Sequence, residues 1–410
     1  MNELKHKLAV PGLLVIGIML IAATLRAPML GVAPMLGMIR ETTGLGAPTA
    51  GILTTLPLLA FAAISPFAAG IARRYGIERT LFGALLVIAT GIAVRSSGPV
   101  WALFLGTAVL GAGIAIANVL LPSLLKRSFP SGIAGLTGAY SFTAGVAAAL
   151  ASAAAIPLAQ LPGSNWRLSL ACLLIFPAAA LMAWIPQLRL HSAPKAELAP
   201  PPDGGRILRS PLAWQVTAFL GLTSLVYYIV VGWLPAILVE AGYPAATAGS
   251  LHGLSQLATA LPGLILGPAV RRMKDQGVLA IGVSLATCLS LLGLWQLPAL
   301  ATVWVALFGF GAGAAFVLGL SFVSLRAVHS HQAAALSGMA QCLGYSLAAA
   351  GPPLAGLAHD ATGNWNVALG FCAVATLLMA GFGSLAGRAT ILHARTPHGP
   401  ARIPVAGPAE

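Results

Sequence analysis

The chain carries a guanidinium inside its first long apolar run, at Arg26 in Thr24-Leu25-Arg26-Ala27-Pro28. A cation in hydrocarbon costs about 2.5–3.5 kcal/mol even on a lenient insertion scale, so such a residue is paired, faces a cavity or binds something. Its planar fork of donors suits an anionic or electron-rich group in a dry site. The plainer alternative is a side chain that snorkels outward or clamps a carbonyl of a neighbouring helix. All nine acidic residues fall in loops, tails or segment ends, so no carboxylate is expected at mid-segment to neutralise Arg26. A buried Arg without such a partner is receptive to an anion. Pro28 and Pro34 predict a bend that frees carbonyls and aims the guanidinium.

Other polar side chains within apolar runs extend the candidate set. His252 and Gln256 are four residues apart, and Thr259 continues their helical face. The stripe either lines a cavity, with His252 as hydrogen-bond donor or proton-coupling base near neutral pH, or makes an interhelical hydrogen bond. Tyr227 and Tyr228 fall near the height of Arg26 when Pro34 is matched to Pro235; as adjacent residues, at most one is expected to point inward. Tyr140 with Ser141, Gln341 with Tyr345 four residues on, Asn118, and Thr54 complete the substrate-binding candidates. Each has packing as its competing role, and Trp233 is read as packing. The paired glycines Gly111, Gly113, Gly135, Gly138, Gly311, Gly313, Gly338 and Gly344 are read as close-packing devices. The chemistry on offer is binding. No phosphate loop, nucleophile triad, metal-ligand spacing or redox motif occurs, so neither an enzyme nor a cofactor is expected. The four cysteines lie in apolar runs without CxxC spacing and read as free core thiols.

What must position these residues follows from composition. Of 410 residues, 58% are hydrophobic and only 8% charged. That composition excludes an ordinary soluble domain and predicts an all-α, multi-pass membrane protein. Twelve apolar segments can be drawn, at 9–39, 48–72, 79–95, 99–125, 131–157, 167–187, 211–239, 244–270, 277–296, 299–325, 331–357 and 364–388. The N-terminus lacks a small-residue cleavage site and reads as the first of them. The net charge of +13 sits in short loops, which speaks for membrane orientation and against a nucleic-acid partner. With both termini cytoplasmic, the opposite face holds only Arg40, Arg95 and Arg167. The pairs Arg73–Arg74 and Arg271–Arg272 are then orientation signals and candidate gate partners.

Residues 188–210, rich in Pro, Gly and charge, read as a cytoplasmic linker between bundles at 1–187 and 211–388; residues 389–410 read as a disordered tail. The two bundles are related by sequence. Thr49-Ala-Gly-Ile-Leu matches Thr247-Ala-Gly-Ser-Leu, Gly111-Ala-Gly matches Gly311-Ala-Gly, and Asn165-Trp166 matches Asn364-Trp365, at an offset of about 200 residues. By the same offset His252 falls on Thr54. A duplicated six-helix unit implies a solute site near the midplane between repeats that rock against each other.

Several motifs carry a family likeness. They are Leu25-Arg26-Ala-Pro, Leu121-Pro-Ser-Leu-Leu-Lys126-Arg127-Ser-Phe, Trp233-Leu-Pro-Ala-Ile-Leu, Ala248-Gly-Ser-Leu and Gly311-Ala-Gly-Ala-Ala-Phe. With the repeat, they make residues 1–388 resemble the major facilitator superfamily, and within it the cyanate porter family (CynX/NimT, cyanate/nitroimidazole transporter). The resemblance implies twelve helices in two pseudo-symmetric bundles and alternating-access transport. There are departures from the superfamily pattern. Arg73 stands where its loop after the second helix usually has aspartate, so the usual gating salt bridge from that position is not expected. The Gly-Pro motif of drug/proton antiporters is missing from the fifth segment; Gly351-Pro352-Pro353 occurs in the eleventh instead.

The expectation is a secondary transporter of the bacterial inner membrane, acting as a monomer on a small anion or compact polar solute, cyanate- or nitroimidazole-like. The membrane potential opposes anion entry by about 2.3 kcal/mol per charge per 100 mV, so uptake needs exchange, proton coupling or a neutral acid. A proton-coupled drug or metabolite exporter and a non-transporting sensor are the alternatives.

Overall fold

A computed structural model describes residues 11–129, 133–189, 207–273, 275–327 and 330–388. Most of the expected 188–210 linker, and all of the 389–410 tail, lie outside the described residues. The described chain is all helical. In order the helices are α1 (Pro11–Leu30), α2 (Leu36–Thr43), α3 (Ala47–Tyr75), α4 (Ile77–Arg95), α5 (Val100–Ser128), α6 (Ile133–Ala159), α7 (Trp166–Cys172) and α8 (Ile175–Trp184). They continue as α9 (Pro211–Glu240), α10 (Ala245–Arg272), α11 (Gly277–Gln296), α12 (Ala301–Arg326), α13 (Ser330–Thr362) and α14 (Asn366–Ala386).

Ten helical segments among the described residues are long and apolar enough to cross a bilayer. The expected twelve included two that are not among these ten, α10 and α13, of 28 and 33 residues. They carry His252, Ser255, Gln256, Ser337 and Gln341, and they pack between the two ends of the chain, where a helix need not be apolar all round. The outward faces elsewhere are apolar, with Leu150, Phe67, Ile175 and Met182 all more than half exposed. So continuous an apolar surface suits lipid, not water.

Polar groups inside these helices are settled locally. The hydroxyls of Thr24, Thr107, Thr223 and Ser284 donate to carbonyls four residues earlier, at 2.7–2.8 Å. Asn165 caps α7 by accepting from the Arg167 and Leu168 amides, and its repeat mate Asn364 accepts from the Asn366 amide. The first apolar segment breaks where its prolines predict. α1 stops at Leu30, a 3-10 turn spans Ala33–Met35, and α2 resumes at Leu36.

Packing repeats across the chain. In the first eight helices α1 packs on α6 and α8, α3 on α5, and α4 on α5; in the last six, α9 packs on α13 and α14, α10 on α12, and α11 on α12. One apolar core lies wholly within the first group (Ile18, Leu85, Leu121, Trp184) and another within the second (Phe219, Leu318, Phe322, Met379). A third spans both, from Met35 and Ala148 to Trp233 and Phe308.

The two groups meet through α3 against α13 and α6 against α10. The glycine of the repeated Thr-Ala-Gly motif lies at each contact. A Cβ on Gly51 would sit 2.8 Å from the Pro352 backbone, and one on Gly249 would sit 3.0 Å from the Ser152 carbonyl. Toward the opposite ends of these helices the close backbone contact is lost: Gly135, Gly263 and Gly338 have nothing within 4 Å of such a Cβ, and one on Gly138 would meet only the end of the Leu264 side chain, at 3.2 Å. The close-packing expectation therefore holds for Gly111, Gly113, Gly311, Gly313 and Gly344, and for Gly138 against a Leu264 side chain, but not for Gly135 and Gly338, which flank a cleft. The cleft opens toward the end carrying Arg73 and Arg74, and is shut where α3 begins and α13 ends. Among the cysteines, Cys288 and Cys372 are buried free thiols, whereas Cys172 and Cys342 face outward, so the core expectation fails for those two.

Candidate functional site

The break in α1 sets the site. Pro34 has no amide hydrogen, so the Leu30 carbonyl loses its i+4 donor and the helix cannot run on. The Pro28 carbonyl, at this break, is taken by Arg95, whose Nη1 donates to it at 2.7 Å. Arg95 was expected in an outer loop. It is instead buried at the end of α4, and its Nε and Nη2 have no partner among the described residues. The carbonyl clamp considered for Arg26 is thus made by Arg95, and Arg26 is left for another task.

Arg26 points across to the second group of helices. Its Nη1 donates to the Tyr227 hydroxyl at 3.3 Å. No carboxylate pairs with it among the described residues. Tyr228 and Tyr345 also lie near enough to interact with its charge. Tyr227 and Tyr228 pack edge to face at 5.1 Å, and Tyr345 meets Phe61 at 6.2 Å. The expectation that only one of the two adjacent tyrosines turns inward is therefore corrected. Neighbours on a helix diverge by about 100°, and a cleft facing α9 over a wide arc receives both phenols. Beyond Tyr228 a small recess opens, lined by Met29, Leu30, Thr54, Tyr228, Val231 and Gly232.

From Tyr227 a polar chain continues. The Tyr227 hydroxyl donates to Gln256 Oε1 at 2.9 Å; Gln256 Nε2 is 3.4 Å from His252 Nε2; His252 Nδ1 is 2.9 Å from Ser152 Oγ. Both ring nitrogens of His252 are thereby engaged, one by Ser152 of α6 and the other by Gln256 of its own helix. His252, Ser255, Gln256 and Ser152 are all buried. The chain Arg26–Tyr227–Gln256–His252–Ser152 crosses between the two groups of helices twice, from α1 to α9 and from α10 to α6. Ser152 was not anticipated; it sits in an Ala-rich stretch, with no polar residue three or four positions away to mark its face. Its repeat mate Pro352 marks the matching contact with α3. Ser152→Ala removes the buried hydrogen bond to His252 and is expected to cost about 0.5–1.5 kcal/mol. Thermal unfolding in detergent reads this as a lowered midpoint; an unchanged midpoint would mean that the bond is not made.

The remaining candidates lie further out. Thr54 donates to the Gly51 carbonyl at 2.8 Å and touches Gly232 across the interface. Gln341 is exposed and donates to Ser337 of its own helix at 2.7 Å, in the open half of the cleft. Asn118 is exposed, Ser141 half-buried, and Tyr140 packs against the core of the first group. The site thus brings together Arg26, Tyr227, Tyr228, Tyr345, His252, Gln256 and Thr54, and leaves Asn118, Tyr140, Ser141 and Gln341 apart. Trp233 is a packing residue: it is buried, stacks near Trp365 and donates to the Pro352 carbonyl at 2.8 Å. Of the candidate gate residues, Arg73 and Arg74 are exposed at the end of α3, with Arg74 over the Tyr75 ring. The side chains of Arg271 and Arg272 lie outside the described residues. At the same end Glu78 is buried and pairs with Arg127 at 2.6 Å, within the first group of helices.

Comparison with known proteins agrees with this architecture. The Major Facilitator Superfamily matches residues 13–349. The 2-nitroimidazole transporter of Escherichia coli (strain K12) is 55% identical over 375 residues, spanning 92% of this chain and 95% of the relative. The cyanate transport protein CynX of the same organism is 29% identical over 353 residues, covering 85% and 90%. Among solved structures, a bacterial homologue of the human lysosomal transporter Spinster, in an inward-facing and occupied conformation, superposes with a TM-score of 0.75 at 15% identity, covering 91% of this chain and 96% of the other. With its duplicated helix packing, its interfacial cleft and these matches, the chain belongs to the Major Facilitator Superfamily, whose members are transporters and not enzymes.

Proposed function

We propose that the protein carries a small anion or compact polar solute, cyanate- or nitroimidazole-like, through the cleft by alternating access. One observation carries this. Arg26 stands at the meeting of the two groups of helices, bonded to Tyr227 with Tyr228 and Tyr345 nearby, and among the described residues no carboxylate pairs with it. Its remaining donors suit the paired oxygens of a nitro or carboxylate group or the charge of a cyanate ion. The phenols supply flat apolar faces and hydroxyls for a planar ligand. The solutes for which the two Escherichia coli relatives are named fit that chemistry.

Arg26 is the anchor, with Tyr227, Tyr228, Tyr345 and Thr54 around the solute and the Gln256–His252–Ser152 chain holding Tyr227. Asn118, Tyr140, Ser141 and Gln341 line the route to it. The proposed architecture has twelve spans in two bundles, residues 1–187 and 211–388, joined by the 188–210 linker. Both termini face the cytoplasm, and one chain acts alone in the inner membrane. The open end of the cleft, with Arg73 and Arg74, is then the cytoplasmic one, by the excess of Lys and Arg there.

The test is counterflow of labelled cyanate and of labelled 2-nitroimidazole in proteoliposomes. Saturable exchange of either supports transport. A ligand that raises the melting temperature of the purified protein yet never exchanges would favour a sensor.

A further inference from the structure

The shut end of the cleft carries a titratable cluster outside the site above. Asp360, near the end of α13, reaches two groups on the other side of the interface. Its Oδ1 lies 3.3 Å from Arg40 Nη2, and its Oδ2 accepts from the Ala47 backbone amide at 2.9 Å. Ala47 is the first residue of α3, and Gly46 before it has no side chain with which to cap the helix. Asp360 thus supplies from across the interface the carboxylate that this first turn lacks. Beside it the backbones nearly touch: a Cβ on Gly356 would lie 2.7 Å from the Ala47 carbonyl. Arg40 and Asp360 are each about a third exposed, so the ion pair alone is weak. The cap and the close approach make it part of a closed contact.

His359 is placed to govern that carboxylate. Its Nδ1 lies 3.4 Å from Asp360 Oδ1, its Nε2 3.2 Å from Glu240 Oε2 at the end of α9, and its ring stacks on Trp365 at 4.2 Å. The charged groups facing it are Glu240 from α9, Asp360 on its own helix and, across Asp360, Arg40 from α2. Unlike His252, which is buried with both ring nitrogens engaged, His359 is partly exposed and can exchange protons with the solution on that side. At the repeat-equivalent positions stand Ala159 and Gln160, so His359 and Asp360 have no titratable counterparts there.

We propose that His359, Asp360 and Arg40 form a proton-binding latch on the shut end of the cleft. With His359 neutral, Asp360 holds Arg40 and the first turn of α3. With His359 protonated, Asp360 Oδ1 is shared with the imidazolium, its hold on Arg40 and on the first turn of α3 weakens, and the end opens more readily. Acid on that face therefore favours opening, so the pH on that side biases the alternating-access cycle on which this proposal rests.

The test is the distance between spin labels at E41C and A361C, measured by double electron–electron resonance on the full chain in nanodiscs. The outward-facing Cys172 and Cys342 are replaced by serine. The parent is expected to show a short distance at pH 7.5 and to gain a longer one at pH 5.5. D360N and R40Q should show the longer distance at both, the charge swap R40D/D360R should recover the short one, and H359Q should stay short at both. An H359Q distribution that still follows pH, or D360N and R40Q distributions identical to the parent, overturns the latch. If 2-nitroimidazole or cyanate still shifts the parent in that case, alternating access stands without it. A distribution that no ligand, pH or variant moves counts against both.

Discussion

Arg26→Ala is expected to weaken binding of an anionic or nitro-bearing solute by about 100-fold or more. Two charge-assisted hydrogen bonds would be lost from a site largely shielded from water, each contributing about 1.5–3 kcal/mol. Arg26→Lys should recover only part of this, because an ammonium keeps the charge but not the planar pair of donors. The fold should survive both changes. Tyr227 keeps its 2.9 Å bond to Gln256, and the buried carbonyl at the α1 break is held by Arg95, not Arg26. Calorimetric titration or a ligand-induced thermal shift measures the effect. Wild-type affinity in Arg26→Ala would remove the anion anchor and move the site elsewhere in the cleft.

Gly51→Ala should have a comparable effect on transport while sparing binding. The new methyl would meet Pro352 backbone atoms at 2.8 Å and the Pro353 nitrogen at 2.9 Å. A pair of prolines with fixed φ in the middle of α13 cannot step aside as a flexible side chain does. Overpacking of this kind costs roughly 1–3 kcal/mol. It falls only on the state in which α3 and α13 touch, so it shifts the balance between closed and open ends by roughly 5- to 150-fold. Counterflow should slow by about tenfold or more, with little change in melting temperature because neither group's own core is disturbed. Gly51→Ala transporting at the wild-type rate would mean that this contact does not form during the cycle.

Much of the architecture was legible because a bilayer imposes simple rules. Apolar runs, basic loops and the repeat offset predicted the helices with few errors. The segments that depart from simple apolarity, α10 and α13, are those placed at the contacts between the two groups, and their polar residues include the candidates His252, Gln256, Gln341 and Tyr345. Arg26 stood out for the same reason, as a charge where none is cheap. Tyr227 was found through the repeat, by matching Pro34 to Pro235.

Other parts of the site were not legible. Arg95 looked like an ordinary outer-loop arginine, and only its burial against the Pro28 carbonyl separates it from Arg40 and Arg167. Ser152 has no neighbours of its kind to form a stripe. His359 and Asp360 read as the polar end of a segment, and nothing local says that they face Arg40 and Ala47, more than 300 residues earlier in the chain.

The sequence by itself determined the membrane class, the doubled unit and the buried cation, because hydropathy, charge bias and repetition are properties of order along the chain. Only the tertiary structure decided which polar residues meet. Arg26 joins Tyr227, and His252 joins Ser152, because α1 with α9 and α10 with α6 lie across an interface from each other. A helix shows in one dimension which residues share a face, but not which face of another helix it will meet. For this protein the contacts across that interface are the ones that build the proposed site and close the cleft.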